Sequence, residues 1–493
     1  MKVGDPTYRG EPVPLPVEIV WQIASHIRHS SYSPFELDFA SGHGSRGSQH
    51  ADFGSLLLAQ KTLWACCLVC RSWYTASIEH LYNRPLLNNR NFDLFVRTIA
   101  PSSSTTYAPS SPKSTASCSS SSSHQNPRPR RRVGLEKLIK HLDMSGLSYE
   151  SSKSLTARLI RRTKDSLEGF AAPAITFSIP SLAPLSKCIH LKYLDLSTDF
   201  YDIGLSQLLE AIHHLDGITT LKLPRNALVK ERKRDPNTNL LTSQYVPKPP
   251  PWSKWPKNLT HLQLSHSLYE HEQSWTTLLY DSLPSTLKSL RISECVHYSS
   301  LQCLWQCPSH GPWSEDSTNT SPFHASTTSQ QPSIPTPLPI PAAYTIEYLD
   351  LGPALHEDGL PLGAIMHVFR NIKTLVLPAH VGAFRAPLYE DQGGDWMFCI
   401  RPWSLQDHPL ERLVLRDYDH PAAPNFDEAS WNLTILADRF PKLRRIELPK
   451  RFYELTTRKD TDAWDRLNDM LDRRRAEYED QKIKDEIGIF RRD

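Results

Sequence analysis

The residues best suited to chemistry in this chain are five cysteines and histidines near its middle. They are Cys295, His297, Cys303, Cys307 and His310. Thiolates and imidazoles bind zinc, usually as closely spaced pairs of ligands. The spacings of these five fit no common pair, so we interpret them as residues at the edge of a structural repeat beside a loop. The sequence therefore predicts no metal site and no cofactor.

Two histidines are each followed by glutamate, which is how the helical zinc-protease motif His-Glu-x-x-His begins. The second ligand would lie four residues after each histidine, but Trp275 follows His271 there and Leu360 follows His356. Segment 42–47 superficially resembles the nucleophile turn of hydrolases, yet it lacks the Gly-x-Ser order. The chain also has no glycine-rich phosphate loop. We predict that the protein is not an enzyme.

Composition narrows the class of protein further. The 493 residues carry a net charge of only +3, which gives no reason to expect nucleic acid or an anionic membrane as a partner. The chain starts without an apolar signal segment and contains no apolar run of about 18 residues, so we expect no membrane span. Nine cysteines in so long a chain suit a reducing compartment. We expect a location in the cytoplasm, the nucleus or both.

One apolar frame recurs nine times along the chain: Leu or Ile, two residues, Leu or Ile, one residue, then another large aliphatic side chain. This frame is the strand signature of leucine-rich repeats. The copies are 139–144, 191–196, 218–223, 259–264, 287–292, 346–351, 372–377, 410–415 and 443–448.

The spacing of the frames supports the repeat interpretation. Their central residues lie 52, 27, 41, 28, 59, 26, 38 and 33 residues apart, against a period of about 20–29 residues for leucine-rich repeats. The first interval leaves room for a degenerate copy near Ile175–Ile179. The 59-residue interval contains the polar tract 309–341, and removing those 33 residues leaves 26. We expect further loops at 232–257 and 380–408.

Side chains of a strand alternate between two faces, so the leucines of each frame point into the stack and the residues between them point outward. We call the second set the outward face. Stacked repeats bury one continuous core and form a concave sheet. We expect the outward side chains to lie in water and to contact a target protein. The candidates are Tyr193, Asp195, Lys222, His261, Gln263, Arg291, Tyr348, Asp350, Arg412, Arg445 and Glu447.

A small helical unit precedes the repeats. Residues 15–27 place apolar side chains along one stripe of an amphipathic helix that is entered through Pro16. A second apolar helical segment, 56–82, contains the sequence Leu-Val-Cys-Arg-Ser-Trp at 68–73.

These two segments resemble an F-box, a helical motif that binds the adaptor subunit of a cullin–RING ubiquitin ligase. The matching features are Leu-Pro-x-Glu-Ile at 15–19 and Leu-Val-Cys-Arg-x-Trp at 68–73, closed by Leu-Tyr at 81–82. The resemblance covers 12–84, apart from a polar insertion at 28–55 that is longer than the family usually carries. It implies adaptor contacts at Leu15, Pro16, Ile19, Ile23, Ile27, Leu68, Val69, Cys70 and Trp73.

Two charged or polar segments flank the repeats. Residues 101–132 are rich in Ser and Pro and end in the basic cluster 128–132, so we expect a disordered linker. A nuclear import signal in that cluster stays open, with a solvated linker end as the favoured interpretation. Residues 461–493 are charged, and their narrow apolar stripe predicts a capping helix for the last repeat.

The predicted fold is an α/β chain: a short all-α F-box at 12–84, then a right-handed leucine-rich-repeat-like solenoid at 133–455 with irregular loops. F-box proteins with irregular leucine-rich repeats are typical of fungi. The resemblance implies a substrate receptor of an SCF-type cullin–RING ubiquitin ligase, with an adaptor and an unknown target protein as partners. The alternative is a leucine-rich-repeat scaffold that acts outside a ubiquitin ligase.

Overall fold

The computed structural model describes the residues that build a helical unit and a parallel sheet. The described residues are 15–29, 46–100, 134–147, 153–173, 176–198, 203, 205–223, 232–234, 241–243, 255–264, 283–292, 345–351, 366, 369–378, 408–416, 437, 440–450, 453–454 and 462–492. The chain divides into two compact units, Met1–Leu194 and Asp195–Asp493. The domain bounds predicted from the sequence stay predictions.

Among its described residues, the first unit has four helices ahead of its first strands. The helices are α1 (Val17–His29), α2 (Arg46–Cys67), α3 (Arg71–Asn83) and α4 (Phe92–Ile99). A 3₁₀ turn follows at Leu135–Leu138. The remaining elements are β1 (His141–Asp143), α5 (Lys153–Thr163), β2 (Gly169–Ala171), α6 (Ile179–Leu185) and β3 (Tyr193–Asp195), where the chain passes into the second unit.

The second unit has ten described strands. They are β4 (Thr220–Leu223), β5 (Arg232–Arg234), β6 (Leu241–Ser243), β7 (His261–Leu264), β8 (Ser289–Ile292), β9 (Tyr348–Leu351), β10 (Thr374–Pro378), β11 (Arg412–Arg416), β12 (Arg445–Pro449) and β13 (Gly488–Arg492). Its described helices are α7 (Leu205–Ile212), α8 (Asp462–Glu477) and α9 (Gln481–Glu486). No helix among the described residues combines the length and the apolar character needed to cross a membrane.

All nine leucine frames lie on strands, which confirms the predicted α/β fold with a parallel sheet. Within the second unit, β4, β7, β8, β9, β10, β11, β12 and β13 pair in chain order, each parallel to the next. The register aligns the frames, so Leu221 lies beside Leu262 and Leu262 beside Leu290. All three are buried. The frames therefore form the rows of the core.

The same backbone contact joins successive repeats. The carbonyl just before a strand accepts two N–H groups from the start of the next strand: the carbonyl of Thr260, for example, accepts from Lys288 (2.8 Å) and Ser289 (2.9 Å). Glu347 repeats this contact with Lys373 (2.8 Å) and Thr374 (3.0 Å). Each strand therefore has its polar backbone satisfied only by its neighbours.

Two described strands of the parallel sheet lie outside the nine frames. The degenerate copy predicted near Ile175–Ile179 is wrong in position, because the extra strand is β2, paired with β1 through Leu142 and Phe170. Phe170 and Ala172 stand where leucines are expected, which hides the frame. The final strand β13 was not predicted. It pairs with β12 through Ile446 and Ile489 and follows the predicted capping helix, observed as α8 and α9.

The predicted loops are partly structured. Segment 232–257 contains the antiparallel hairpin of β5 and β6, and its Trp255 is buried. His408, the last residue of the predicted 380–408 loop, is also buried, and its Nε2 lies 3.2 Å from the carbonyl oxygen of Phe369. The predicted linker 101–132 and the tract 309–341 lie outside the described residues.

The helical unit is joined to the first repeat through Asn83 at the end of α3. The Arg28 guanidinium of α1 donates to the Asn83 side chain (Nη2 to Oδ1, 2.7 Å). The backbone carbonyl of Asn83 accepts from the N–H of Lys140, next to β1 (3.0 Å). Asn83 itself is buried. One residue therefore ties α1, α3 and β1 together.

His141, at the start of β1, packs over Gly169 of β2. A Cβ atom at Gly169 would lie 2.5 Å from His141 Nδ1, so only glycine fits there. Burial, together with the positive charges of Arg84, Arg28 and Lys140, lowers the pKa of His141 to about 4, although Glu168 acts in the opposite direction. The imidazole is therefore neutral at pH 7.

We predict that truncating an inward leucine destabilises the first unit. Leu194 is fully buried, so Leu194→Ala should lower the free energy of unfolding by about 2–5 kcal/mol. Ile189, five residues away and 67% exposed, is the control. Ile189→Ala should change stability by less than about 0.5 kcal/mol. Urea unfolding followed by circular dichroism measures both, and equal losses would contradict the assignment of the inward row.

His141 should also make folding sensitive to pH. Its folded pKa is depressed, so between about pH 6.5 and pH 4 the unfolded chain takes up a proton that the folded chain does not. Stability should therefore fall as the pH drops through that window. His141→Gln should show a smaller loss than the native chain between pH 7 and pH 4.5 in urea unfolding. Identical pH slopes for the two proteins would refute a neutral, half-buried imidazole.

Candidate partner-binding surfaces

Helix α1 is apolar on two adjacent faces. Val20 and Ala24, one turn apart, are buried at 1% and 0% exposure. The neighbouring stripe holds Ile19 and Ile23, which are 42% and 38% exposed, and Leu15 ahead of the helix is 52% exposed. The single stripe expected from the sequence is thus divided: one row packs inside the protein and the other faces solvent.

Contacts with α3 fix the rotation of α1 about its axis. The ring of Trp21 packs against the buried imidazole of His80 at 5.1 Å between centroids, and Arg28 binds Asn83 two turns farther along. Pro16 starts the helix because its carbonyl accepts from the N–H groups of Ile19 (3.1 Å) and Val20 (3.2 Å). The exposed stripe is therefore presented by a helix that is held on its opposite side.

A tight turn between α2 and α3 carries two more exposed aliphatic side chains. Leu68 and Val69 donate their backbone N–H groups to Ala65 (3.0 Å) and Cys66 (3.2 Å), which ends α2. Cys70 has an extended backbone, with φ of −163°, and its carbonyl starts α3. Leu68 and Val69 are each 67% exposed. Aliphatic side chains this exposed in a turn contribute little to the core.

Seven of the nine residues expected to contact the adaptor are thus exposed, and two are half-buried. The exposed residues are Leu15, Pro16, Ile19, Ile23, Leu68, Val69 and Cys70. The half-buried pair is Ile27 and Trp73. The sequence did not single out Trp21 and Trp64, which are 47% and 59% exposed. Tryptophan is enriched at binding surfaces, and that preference could have drawn attention to them.

The outward face of the sheet differs from the expectation that its side chains lie in water. Four candidates are buried and seven are half-buried. The buried four are Tyr193, Gln263, Asp350 and Glu447. The half-buried seven are Asp195, Lys222, His261, Arg291, Tyr348, Arg412 and Arg445. Ion pairs bring the charged candidates together and remove most of their charged groups from solvent.

The first such pair joins Asp195 and Lys222, whose charged atoms lie 3.0 Å apart (Oδ2 to Nζ). Ser197 donates its backbone N–H (3.0 Å) and its hydroxyl (2.7 Å) to the other carboxylate oxygen. Burial acts to raise the pKa of Asp195, but the Lys222 ammonium and the Ser197 hydrogen bonds outweigh it and lower that pKa below its ordinary value. Asp195 is therefore ionised at neutral pH.

The most deeply buried cluster of charges on this face centres on Asp350, which is 1% exposed. Its Oδ2 atom lies 3.2 Å from Nε of Arg291 on β8 and 2.9 Å from Nη1 of Arg416 on β11. Arg416 reaches across β10, where Val376 stands beside Asp350 in the register and is short enough to pass. The carboxylate on β9 thus links β8 and β11, across the width of four consecutive strands.

The last cluster of charges lies on β11 and β12, near the C-terminal end of the sheet. Oε1 of Glu447 accepts from Nη2 of Arg412 (2.6 Å) and from Nε of Arg445 (2.7 Å). The guanidinium of Arg445 also lies over the ring of Phe490 on β13, 4.3 Å from its centroid. Glu447 is buried, whereas the two arginine side chains are 36% and 34% exposed. Positive charge therefore faces solvent here.

Metal chemistry finds no support in the described part of the chain. No three His, Cys, Asp or Glu side chains there are grouped so that they could hold a metal ion. The Cys295–His310 group, both His-Glu pairs and residues 42–45 lie outside the described residues.

Arg416 is a site residue that the sequence analysis missed, although its parity with Arg412 and Val414 would have placed it on the outward face.

We predict that Asp350 is a structural residue despite its outward position. Asp350→Ala would leave Arg291 and Arg416 as uncompensated charges in a buried site, which should cost about 3–5 kcal/mol of unfolding free energy. Asp472, 73% exposed in the same unit, is the matched control, and Asp472→Ala should cost less than about 0.5 kcal/mol. Urea unfolding measures both. Equal stability of the two variants would show that the cluster does not support the sheet.

Comparison with known proteins finds two similar proteins in yeasts. Protein pof5 of Schizosaccharomyces pombe is 28% identical over 46% of this chain and 50% of its own length. F-box protein YDR306C of Saccharomyces cerevisiae is 25% identical over 48% of this chain and 38% of its own length. The chain thus spans half or less of the length of these curated relatives. No family model matches it.

Among solved structures, the leucine-rich repeat-containing protein LegL7 of Legionella pneumophila covers 67% of this chain with 87% of its own. The TM-score is 0.38 and the sequence identity is 12%, and we draw nothing from so distant a likeness. The repeats are instead recognised from the nine frames on parallel strands. Over about half of its length the chain is similar to two yeast proteins, one of which is named an F-box protein, and its described residues combine a helical unit with leucine-rich-repeat strands.

Proposed function

We propose that this protein is the substrate-recognition subunit of a cullin–RING ubiquitin ligase. The helical unit would bind the adaptor subunit, and the repeats would bind a target protein. The observation that carries this proposal is the exposure of aliphatic side chains at two places in the helical unit: the outer stripe of α1 and the turn at 68–70. One of the similar yeast proteins is named an F-box protein, which supports the same assignment.

The exposure argues for a protein partner because water is a poor environment for these residues. Burying an exposed aliphatic side chain contributes about 1.5–3 kcal/mol. A role in packing alone would place Leu68 and Val69 inside, as Val20 and Ala24 are. Clustered exposed apolar side chains in a folded protein commonly mark interaction sites. Leu15, Ile19 and Ile23, presented by an anchored helix, form such a cluster.

The repeats would supply proximity instead of chemistry. A receptor of this kind raises the effective concentration of its target near the catalytic subunits of the ligase, which carry out ubiquitin transfer. The protein needs no catalytic group of its own for this proposed role. Its proposed partners are therefore two proteins, the adaptor and a target, and the proposed location is the cytoplasm, the nucleus or both.

A leucine-rich-repeat scaffold acting outside a ubiquitin ligase is the alternative. Such a scaffold would have the same strands and the same core. It would differ from a ligase subunit in the partner that binds the helical unit. The two functions therefore separate on one measurement, direct binding of purified full-length protein to the purified adaptor. A scaffold of this second kind would leave the adaptor free.

We predict that the 68–70 turn is an anchor for the adaptor. Leu68→Ser combined with Val69→Ser should weaken adaptor binding by about 2 kcal/mol or more, roughly thirtyfold in Kd. Both side chains are 67% exposed, so the melting temperature should stay unchanged. Ile189→Ser, at the same exposure but outside the helical unit, is the matched control and should bind normally. Titration calorimetry measures the affinities; unaltered binding by the folded double variant would rule out the proposed adaptor site.

A further inference from the structure

Cations outnumber carboxylates on the described outward face of the second unit. The cations are Lys222, Arg291, Arg412, Arg416 and Arg445, and the carboxylates are Asp195, Asp350 and Glu447. Lys222 balances Asp195 one to one. The other two carboxylates each bind two arginines. The excess positive charge therefore belongs to β8–β12, the C-terminal half of the sheet.

The two arginine pairs differ in access to solvent. Around Asp350, the Arg291 and Arg416 side chains are only 17% and 9% exposed, so that cluster is closed. Around Glu447, Arg412 and Arg445 are about one-third exposed while the carboxylate between them is 7% exposed. The guanidinium groups therefore stand between Glu447 and solvent, and a partner approaching there meets positive charge first.

These two arginines are also held in place before any partner arrives. Both donate to the same Glu447 oxygen, through Nη2 of Arg412 and Nε of Arg445. Arg445 is further fixed by Phe490, 4.3 Å beneath its guanidinium carbon. A guanidinium carries five N–H donors in a planar fork. The hydrogen bond to Glu447 uses one nitrogen of each arginine. Such pre-positioned forks bind carboxylates with matching planar geometry.

We propose that Arg412 and Arg445 bind a carboxylate-bearing, acidic segment of the target protein. This inference rests on the proposed role of the repeats in target binding and adds the chemical class of the target surface. Glutamate or aspartate side chains of the target would occupy the solvent-facing edges of the two guanidinium groups. Glu447 behind them holds the arginines in position and weakens their field, so the native carboxylate competes with the ligand.

The test uses the full-length protein and a fluorescein-labelled decaglutamate peptide as the probe, with fluorescence anisotropy as the measurement. Arg412→Gln combined with Arg445→Gln should raise the Kd about tenfold or more, because two charge-assisted contacts are lost. Glu447→Gln alone should lower the Kd several-fold, because it removes the competing carboxylate. The second variant keeps both arginines, so it tests the proposal even if the double variant fails to fold.

The controls separate this site from general attraction between charges. Lys164→Gln combined with Lys192→Gln removes two cations that are also paired with carboxylates, Asp165 and Glu168, but lie in the first unit. That variant should bind the peptide with an unchanged Kd. A decaglutamine peptide should not bind, and inorganic phosphate should compete only weakly if planar carboxylate geometry matters. Raising the salt concentration should weaken binding by the native chain.

Each of four results would overturn the proposal. One is an unchanged Kd in folded Arg412→Gln/Arg445→Gln, another is equal binding of the glutamine peptide, and the third is weaker binding by Glu447→Gln. Strong competition by phosphate would instead assign the arginines to a phosphorylated segment and also reject an acidic one. Leu68→Ser/Val69→Ser should bind the peptide normally, so failure of the adaptor site and failure of this site are distinguishable.

Discussion

A strand of three to five residues cannot bury its own backbone or its own leucines, and this constraint shapes the whole repeat region. The carbonyl of Thr260 is satisfied by N–H groups of the next strand, and Leu262 is buried between Leu221 and Leu290. Remove one repeat and its neighbours lose backbone hydrogen bonds and core together. The stability of each strand is therefore a property of the stack, as in other solenoid proteins.

The ion pairs of the outward face follow from the same stacking. Neighbouring strands are joined directly by backbone hydrogen bonds, so their charged side chains lie close together. Asp350 shows the consequence: it draws Arg291 from one side and Arg416 from the other, and the latter contact skips a strand. Burying three charges costs desolvation free energy that the ion pairs offset only if the register is correct. A one-residue slip would turn the carboxylate into the leucine core, so this cluster favours a single register.

The sequence predicts the strands well because their signal is local. Three leucines at fixed spacing identify a frame, and every frame is a strand. Strand β2 departs from the pattern because Phe170 and Ala172 replace leucines, and β13 because its frame is Glu486, Ile489 and Arg491. Burial of Asp350 is not local. Alternation gives its face, but its exposure depends on arginines that lie far away in the chain. For α1, periodicity located the apolar stripe but not its division between core and solvent.

Asn83 connects the helical unit to the first repeat within the first unit. It contacts Arg28 of α1 by its side chain and Lys140, next to β1, by its carbonyl, and it is buried between them. A displacement of α1 relative to β1 would break at least one of these two hydrogen bonds. The direction in which α1 presents Ile19 and Ile23 is therefore set by contacts to the first repeat, and the length of chain between residues 100 and 134 need not determine it. Under the proposed function, this coupling would hold the adaptor in a defined orientation to the strand at which the repeats begin.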